Sequence, residues 1–594
     1  MAERPGYCIP RRCGLCRFIL DDGDIIVVVN RNGMVVSKEL PFSTVMNEED
    51  MFCVECGDGC LHDGERAVGC HPGCLGLVSS ESRLAFINAT SYRYQPPPAE
   101  DERRSRWLRL TWSSIVWEIF RLPPCRLPPE LCDHIAQYSL RSFAVRAVAW
   151  ENLRAPGRIS FSTKVWARYA SFEGVRYISS LTNKQPTEHD PKVKLAFEPM
   201  SSPTDTTIFL AENHLGVREL LFASSSKVPA IEEHPNIWWR SIVVPSSNPE
   251  LESQVDGIKL RALTRAESTT SILWPLPQLP TKEMRFVDLE RRDENSDLIR
   301  MSAFNCNDPA IIGYSIYHFH RFLSIHAHIP GEDTKFVYQS NPSFYAVWQY
   351  MPVDTDETVV EIWKYYDDLS QKASLMFKTD KGRITLMGAW PRTLGRNWTL
   401  LDRPSKQPSR IFYNTSSAGI RLLGFETPPP TPDSQPPALP TPVSSSPTFP
   451  QEEYYYTSAA LDDVTRVTPS LHQIGATLVI TGLLLHRSNA RTSCVGQIRL
   501  DSLGRPLEVG TSQRLWLGFS STTMGGYCVT GAATSRPSDI HALRWLALPY
   551  SGLLEWWFSF RQCSVHHEGQ ASPATTRTSA GQYRRWLEQQ EHRP

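Results

Sequence analysis

Short runs of alternating apolar and polar residues dominate the chain from residue 158 to residue 426. These runs are rich in Val, Ile, Phe, Tyr and Trp and are separated by Gly, Pro, Asn and Ser, as strands and turns are. A turn followed by Gly, an aliphatic residue and Arg recurs at Gly174, Gly216 and Gly419. Glycine supplies the positive φ that such a turn requires, and the Arg points away from its apolar neighbours. The pattern predicts repeated hairpins around one or two β-sandwich or barrel-like cores.

A proline-rich stretch interrupts this pattern. Ten of the 24 residues from 427 to 450 are proline, so residues 427–452 are predicted to be an extended linker or a loop inserted in a β-domain. The strand pattern resumes over 453–567, the predicted C-terminal β-rich part. Residues 568–594 are polar and poor in apolar residues, which predicts a disordered tail.

Helical periodicity is confined to residues 95–157. We interpret 95–106 as a polar linker, after which Leu108, Trp112 and Val116 recur at helical spacing. A second helix is predicted to begin at Pro128 and Pro129, with Glu130 in its first turn, where the helix dipole favours a carboxylate.

Eight of the 14 cysteines precede residue 75 and include two C-x-x-C pairs, Cys13/Cys16 and Cys53/Cys56. Such turns direct two thiolates at one ion. Residues 24–37 between the pairs carry an Asn-Arg-Asn-Gly hairpin signal. Residues 1–94 are therefore predicted to form a small module with two closed, structural zinc sites, similar to RING, PHD or LIM modules although no spacing matches strictly. The predicted ligands, whose pairing stays open, are Cys13, Cys16, Cys53, Cys56, Cys60, Cys70, His71 and Cys74, with Cys8 and His62 in reserve.

Composition narrows the class of protein. A chain of 594 residues suggests about three to five domains. The net charge of −1 lacks the basic surplus of a nucleic-acid binder, so no nucleic-acid partner is expected. The N-terminal residues contain no signal-peptide core, and the apolar run from Ile474 to Leu485 is too short to span a bilayer. We expect a cytoplasmic or nuclear protein without a membrane partner, with reduced thiols.

The second predicted helix contains the motif Leu127-Pro128-x-Glu130-Leu131-x-x-x-Ile135. About 15 of the 594 residues resemble the opening helix of an F-box. The resemblance implies that Leu127, Pro128, Glu130, Leu131 and Ile135 dock on the adaptor of a cullin-based ubiquitin ligase; simple packing of the helix is the alternative. With the Gly-Val-Arg hairpins and residues 483–497, the whole chain resembles filamentous-fungal F-box-like proteins that have an N-terminal Cys-rich segment.

One histidine cluster suggests catalysis. His326, His328 and Glu332 have the H-x-H-x-x-x-E spacing of the cupin metal motif, and alternate residues of a strand share a face. The longer cupin motif has glycine where this chain has His320, and no second motif supplies a further histidine. No other catalytic motif is evident, so we expect no enzyme.

Two tryptophan pairs suggest a binding surface instead. In Trp238/Trp239 and Trp556/Trp557, strand alternation would turn one ring of each pair outward, to stack on a sugar or to be covered by packing.

Together these features predict a mainly β, multidomain protein with a small zinc-braced N-terminal module, a short α-helical segment and β-sandwich or barrel-like sheets. The predicted function is a non-enzymatic interaction protein that binds a protein partner through its β-rich body. The F-box resemblance implies, more specifically, a substrate adaptor of a ubiquitin ligase. A lectin-like protein that binds carbohydrate and a cupin-like metalloenzyme are the alternatives.

Overall fold

The structure is a computed structural model. It describes residues 7–42, 52–54, 65–121, 126–148, 157–186, 190–199, 206–224, 231–232, 234, 236–245, 247, 249–265, 271–277, 284–289, 298–339, 346–367, 372–391, 397–416, 419–431, 435–447, 452–474, 477–509, 513–522, 525–537 and 543–573. Strands make up 47% of the chain and helices 14%, in several separate sheets, which confirms the predicted mainly β class. Within the described residues, no helix is long and apolar enough to cross a membrane.

The chain divides into two compact units. The first comprises Met1–Leu279 and Asp293–Met301, and the second comprises Pro280–Arg292 and Ser302–Pro594. The division falls inside the stretch 158–426, where the strand pattern continues without a visible change in composition.

The cysteine-rich part of the first unit is built on short strands. They are β1 (Tyr7–Ile9), β2 (Ile25–Val29), β3 (Leu40–Pro41), β4 (Phe52–Val54), β5 (Glu65–Arg66) and β6 (Val68–Cys70). Strand β2 pairs with β3 and β6, while β1 pairs in parallel with β4 and β5. The predicted turn after β2 is confirmed, because the Gly33 N–H donates to the Asn30 carbonyl and Val29 bridges Val35.

Five helices follow or overlap this part. They are α1 (Pro72–Leu75), α2 (Ser80–Thr90), α3 (Pro98–Phe120), α4 (Pro129–Tyr138) and α5 (Leu140–Arg146). The interpretation of 95–106 as a linker is wrong from Pro98 onward, since these residues form the first turns of α3. The polar residues have structural roles. Glu100 and Asp101 occupy the first helical turn, where the helix dipole favours carboxylates, and Arg104 is buried and pairs with Glu173.

The rest of the first unit contains three three-stranded antiparallel sheets, ordered β10-β8-β9, β12-β11-β13 and β15-β14-β7, and the strand β16, which pairs in parallel with residues Leu298–Arg300. Their inward aliphatic side chains, such as Val165, Leu210 and Leu260, form one core. The strands are β7 (Gly157–Ser160), β8 (Val165–Phe172), β9 (Val175–Thr182), β10 (Val193–Phe197), β11 (Thr206–Glu212), β12 (Val217–Ser224), β13 (Trp238–Val244), β14 (Glu250–Val255), β15 (Leu260–Thr264) and β16 (Ser271–Leu273).

The predicted glycine hairpin between β8 and β9 is confirmed. Glu173 and Gly174 form a two-residue loop with φ of +49° and +76°, as a type I′ turn requires. Only glycine fits the second position, because a Cβ there would lie 2.5 Å from the indole of Trp107. Val175 is buried and Arg176 is exposed, so the side chains alternate as expected.

The second unit begins with smaller sheets, ordered β17-β27-β26, β20-β19-β21 and β24-β23-β22-β25. It also contains α6 (Thr334–Gln339). The next strands along the chain are β17 (Arg285–Asp288), β18 (Leu298–Cys306), β19 (Gly313–Phe319), β20 (Arg321–His328), β21 (Val347–Pro352), β22 (Val359–Asp367), β23 (Lys372–Thr379), β24 (Ile384–Met387), β25 (Trp398–Asp402), β26 (Ser409–Asn414) and β27 (Leu422–Phe425).

Two further sheets complete the second unit. One has the order β28-β36-β37-β38, and the other has the order β32-β29-β30-β34-β33-β35 with β31 beside β30. Their strands are β28 (Tyr455–Ala460), β29 (Val464–Ile474), β30 (Thr477–Arg487), β31 (Thr492–Gly496), β32 (Leu507–Glu508), β33 (Arg514–Ser521), β34 (Tyr527–Ala533), β35 (Arg544–Pro549), β36 (Leu553–Phe558), β37 (Cys563–His567) and β38 (Gln570–Ala571). Strand β38 lies within the predicted tail 568–594 and pairs with β37; residues 574–594 lie outside the described residues.

The proline-rich segment is anchored to the second unit. The carboxylate of Glu555 accepts the backbone N–H groups of Val443 and Ser444, at 2.7 and 2.9 Å. Leu439 packs against the cluster around Trp363. The segment has no regular secondary structure in its described residues, yet backbone hydrogen bonds hold it on the surface of its own unit.

The tryptophan pairs do not both expose a ring. Trp556 and Trp557 are both fully buried, so for this pair the alternative that packing covers the outward ring holds. The proline-rich segment provides the reason, since the indole N–H of Trp557 donates to Ser444 Oγ at 2.9 Å. In the other pair Trp239 is buried and Trp238 is partly exposed.

Candidate functional site

The first cysteine pair forms a tight turn in front of β2. The Arg17 N–H donates to the Cys13 carbonyl at 2.9 Å, and the Cys13 N–H donates to the Phe18 carbonyl at 3.0 Å. Arg17 has a φ of +63°, which reverses the chain immediately after Cys16. This turn places both thiols on one side of the backbone, as zinc-binding turns do.

The other half of the cluster follows β6. His71 precedes α1, and Pro72 occupies the first turn of that short helix. The Cys74 N–H donates to the His71 carbonyl at 3.0 Å, so one helical turn brings Cys74 back beside His71. The predicted His71-x-x-Cys74 ending therefore folds toward a single point.

Four side chains converge there: Cys13, Cys16, His71 and Cys74. Their donor atoms all lie within 4.8 Å of one another, and all four residues are buried. His71 Nδ1 lies 3.6 Å from Cys16 Sγ and 3.8 Å from Cys74 Sγ. A tetrahedral ion with bonds of about 2.3 Å to sulfur and about 2.0 Å to nitrogen separates such atoms by roughly 3.6 Å. The cluster can therefore hold a metal ion such as zinc.

The thiols are polarised by one another. Hydrogen bonds from Cys16, Cys70 and Cys74 hold the pKa of Cys13 well below its usual value. The same contact with Cys13, together with burial, raises the pKa of Cys70. A cysteine binds metal as its thiolate. The lowered pKa of Cys13 therefore favours the metal-binding form of this side chain, which lies where the four donors converge.

Asp24 supports the histidine from outside the cluster. His71 Nε2 lies 3.4 Å from Asp24 Oδ2, while Nδ1 of the same ring faces the sulfur atoms. Metal-binding histidines usually donate their second ring N–H to a carboxylate, which fixes the orientation and tautomer of the ring. Asp24 precedes β2, so the predicted hairpin also positions this carboxylate.

A buried ion triad ties the cysteine turn to the rest of the first unit. Glu173 Oε1 lies 2.6 Å from Arg17 Nη2, and Glu173 Oε2 lies 2.8 Å from Arg104 Nε. Arg104 Nη2 also donates to the Cys16 carbonyl at 2.7 Å. Burial by itself would raise the pKa of Glu173, but the two guanidinium groups outweigh it and lower the pKa to about 2.

The hydrophobic core is continuous across this region. The cysteines pack in one cluster with Leu108 of α3, Val145 of α5 and Tyr177 of β9. The N-terminal module therefore shares its core with the helices and with the β8–β9 hairpin.

Not all of the predicted ligands can be placed. Cys70 is buried next to Cys13 but does not belong to the group of four converging donors. The side chains of Cys8 and Cys53, and the residues Cys56, Cys60 and His62, lie outside the described residues. The second predicted zinc site therefore stays a prediction.

The second histidine cluster lies on β20 and the turn after it. His326 Nε2 is 3.0 Å from Glu332 Oε2, and His328 Nδ1 bonds to the other oxygen of Glu332. His328 Nε2 lies 2.8 Å from Ser315 Oγ. The donor atoms of His326, His328 and Glu332 lie within 4.8 Å of one another, so these three residues can also hold a metal ion. His320 is elsewhere and bonds to Glu453.

Helix α4 has two apolar faces. Cys132 and Ala136 are buried against Val116 of α3. Leu131, Ile135 and Tyr138 lie on another face and are 48%, 37% and 92% exposed. Their spacing places them on one stripe, as predicted. The packing of α4 is thus complete on one side, while a second apolar stripe faces away from it.

A scan against protein-family models matches no family for this chain, and a search of curated proteins finds no match.

We predict that Glu173→Gln destabilises the protein by about 3–5 kcal/mol, because two buried guanidinium groups would lose their counter-charge. Urea unfolding would measure the change. Glu198→Gln is the matched control, since Glu198 pairs with Lys164 at the surface, where such pairs contribute about 0–1 kcal/mol.

The same triad predicts a pH dependence. The pKa of Glu173 is about 2 in the folded chain, against about 4.3 when unfolded. Its stabilising contribution is therefore complete above the unfolded value and is lost as the pH falls toward 2. The wild type should lose more stability between pH 5 and pH 3 than Glu173→Gln; parallel losses would contradict the triad's role.

Proposed function

We propose that this chain is a non-enzymatic interaction protein that docks on a partner protein through the exposed stripe of α4. The observation that supports this proposal is that α4 has two apolar faces, of which only one is packed against the rest of the first unit. One face packs on α3, so the helix keeps its position without a partner. The other face presents Leu131, Ile135 and Tyr138 to solvent. Exposed apolar stripes on a firmly packed helix are typical of protein interfaces.

The motif on α4 suggests which partner. Pro129 begins the helix and Glu130 lies in its first turn, as the prolines and the helix dipole predict. Of the residues assigned to docking, Leu131 and Ile135 are exposed, whereas Leu127 packs in the α3–α4 cluster. We propose the adaptor of a cullin-based ubiquitin ligase as the partner, with the β-rich sheets recognising a further protein.

We further propose that Cys13, Cys16, His71 and Cys74 bind one structural zinc ion. Three thiolates and one imidazole form a common tetrahedral zinc set, and four protein ligands leave no open position for catalysis. Asp24 would orient His71, and the Glu173 triad would hold the turn that carries Cys13 and Cys16. The ion's contribution would be to stabilise the first unit.

For the docking surface, we predict that Leu131→Ala combined with Ile135→Ala abolishes co-purification with a cullin adaptor. The melting temperature should change little, because both side chains lie on the exposed face of α4, outside the cluster that packs on α3. Leu195→Ala is the matched control, since Leu195 is 41% exposed on β10, away from α4. Co-purification that survives the double substitution would refute docking through α4.

For the metal, we predict that Cys16→Ser and His71→Ala each remove one zinc equivalent from the full chain, measured by elemental analysis. Asp24→Ala should retain the ligands but weaken zinc binding about 10- to 100-fold, measured by chelator competition. Cys494→Ser is the control, because Cys494 belongs to the second unit. Unchanged zinc content in Cys16→Ser would contradict the proposed site.

A second candidate function is metal binding by His326, His328 and Glu332, as in a cupin-like metalloenzyme. It is favoured by the convergence of the three donors and by the bond from His328 Nε2 to Ser315, which resembles the outer support of a metal-bound histidine. The two histidines and one carboxylate are the ligand types of non-haem iron sites.

This candidate predicts that iron or zinc content falls in His326→Ala and Glu332→Gln but not in His320→Ala. The nearby His320 bonds to Glu453 instead of Glu332, so it controls for the loss of any histidine. Equal metal content in all three variants would rule out this site.

A further inference from the structure

The second unit contains a cavity of about 390 Å³. It lies where residues of β29 and β30 meet residues of β19, β21 and the β36–β37 connection. This volume is within the usual range for small-molecule sites. Its lining contains no residue of α4 and none of the proposed metal ligands, although the lining residue Tyr338 contacts His328.

One wall of the cavity is aromatic. Tyr317 and Trp348 stack with their ring centroids 4.6 Å apart, and Tyr338 meets Trp348 edge-on at 4.6 Å. All three rings are almost fully buried, and they form one cluster. Another wall is made by Ile474 and Val479. The walls are therefore rigid and mainly apolar, as in sites that hold ring systems.

Two polar side chains that line the cavity make no hydrogen bond to another described residue. Gln497 is only 9% exposed, yet its amide makes no hydrogen bond within the described residues. The His472 imidazole likewise has no hydrogen-bond partner there. The amide of Gln497 can therefore hydrogen-bond to a group bound in the cavity, because an amide both donates and accepts.

The charges around the cavity are already neutralised. Arg499 pairs with Asp501 through two contacts of 3.0 and 2.7 Å, and Arg561 pairs with the buried Glu452. Burial, followed by the nearby Arg499, lowers the pKa of His472, so this ring is neutral at pH 7. A charged ligand would lose its hydration without gaining a free counter-charge.

We propose that this cavity binds a neutral, ring-containing small molecule. Its apolar body would lie against Tyr317, Trp348 and Val479. A hydroxyl, amine or amide group on it would hydrogen-bond to Gln497, with His472 as a second partner. The apolar lining would contact the rings of the ligand, while the amide of Gln497 would select ligands that carry a polar group on an apolar body.

The test uses N-phenyl-1-naphthylamine, a neutral three-ring fluorophore with one N–H donor, titrated into the full chain. We expect saturable binding with a Kd of roughly 1–100 µM, which is typical for a ligand of this size. Its sulfonated analogue, 8-anilinonaphthalene-1-sulfonate, has the same rings and one negative charge. It should bind at least about 10-fold more weakly, because both arginines among the described lining residues are already paired with carboxylates.

Substitutions assign the binding to the cavity. Gln497→Leu should weaken the neutral probe about 3- to 10-fold, the effect of one hydrogen bond, without lowering the melting temperature. Ala346→Trp should abolish binding by filling the cavity, whose wall contains Ala346. Gln473→Leu is the matched control, because Gln473 lies on β29 between two lining residues and points to the other face.

The proposal is overturned if the neutral probe does not bind, or if Ala346→Trp binds it as tightly as the wild type. Equal affinity of the two probes would refute the claim of a neutral site, and an unchanged Kd in Gln497→Leu would refute the role of the amide. None of these outcomes depends on co-purification with a cullin adaptor, so this proposal and the α4 proposal can fail separately.

Discussion

The first unit depends on one buried carboxylate. Glu173 sits in the β8–β9 turn and receives guanidinium groups from the cysteine turn, through Arg17, and from α3, through Arg104. Burying the Glu173 carboxylate without a counter-charge would cost several kcal/mol. The β8–β9 turn is therefore stable in this core only when the cysteine turn and α3 supply their arginines. Hydrophobic packing fills the space between these segments, but the charges determine their relative position. The same charges position the candidate zinc site, because Arg104 also donates a hydrogen bond to the carbonyl of Cys16.

The sequence predicts the parts of this arrangement whose signals are local. Spacing reveals the Cys13/Cys16 turn and the His71/Cys74 pair, and glycine reveals the β8–β9 turn. Residues that act across the chain leave no such signal: Glu173 lies 156 positions from Arg17 and looks like an ordinary turn residue. Arg104 contributes to a wrong prediction. It is buried, but as a charged residue in a polar stretch it makes the start of α3 appear to be a solvent-exposed linker. Asp24 had a weak local signal, a carboxylate at the entrance of a predicted hairpin.

The two units use polar groups differently. In the first, the buried Glu173 pairs with Arg17 and Arg104 and joins separate elements into one core. In the second, the carboxylate of Glu555 holds the proline-rich segment, which has no strand or helix in its described residues, and this cover explains why Trp557 is buried. The alternation of apolar and polar residues predicts the strands of the sheet that contains β36. It does not predict that the proline-rich segment packs on this sheet, because such a segment has no apolar pattern that indicates what it contacts.

The division of the chain into two units has a consequence for synthesis. The first unit is completed by Asp293–Met301, after the chain has already contributed Pro280–Arg292 to the second. A ribosome must therefore deliver residue 301 before the first unit is whole, and a single cut anywhere in the chain removes part of one unit or the other. To produce the two units separately and intact, the chain would have to be rearranged. Asp293–Met301 would be joined to the first unit, and Pro280–Arg292 to the second.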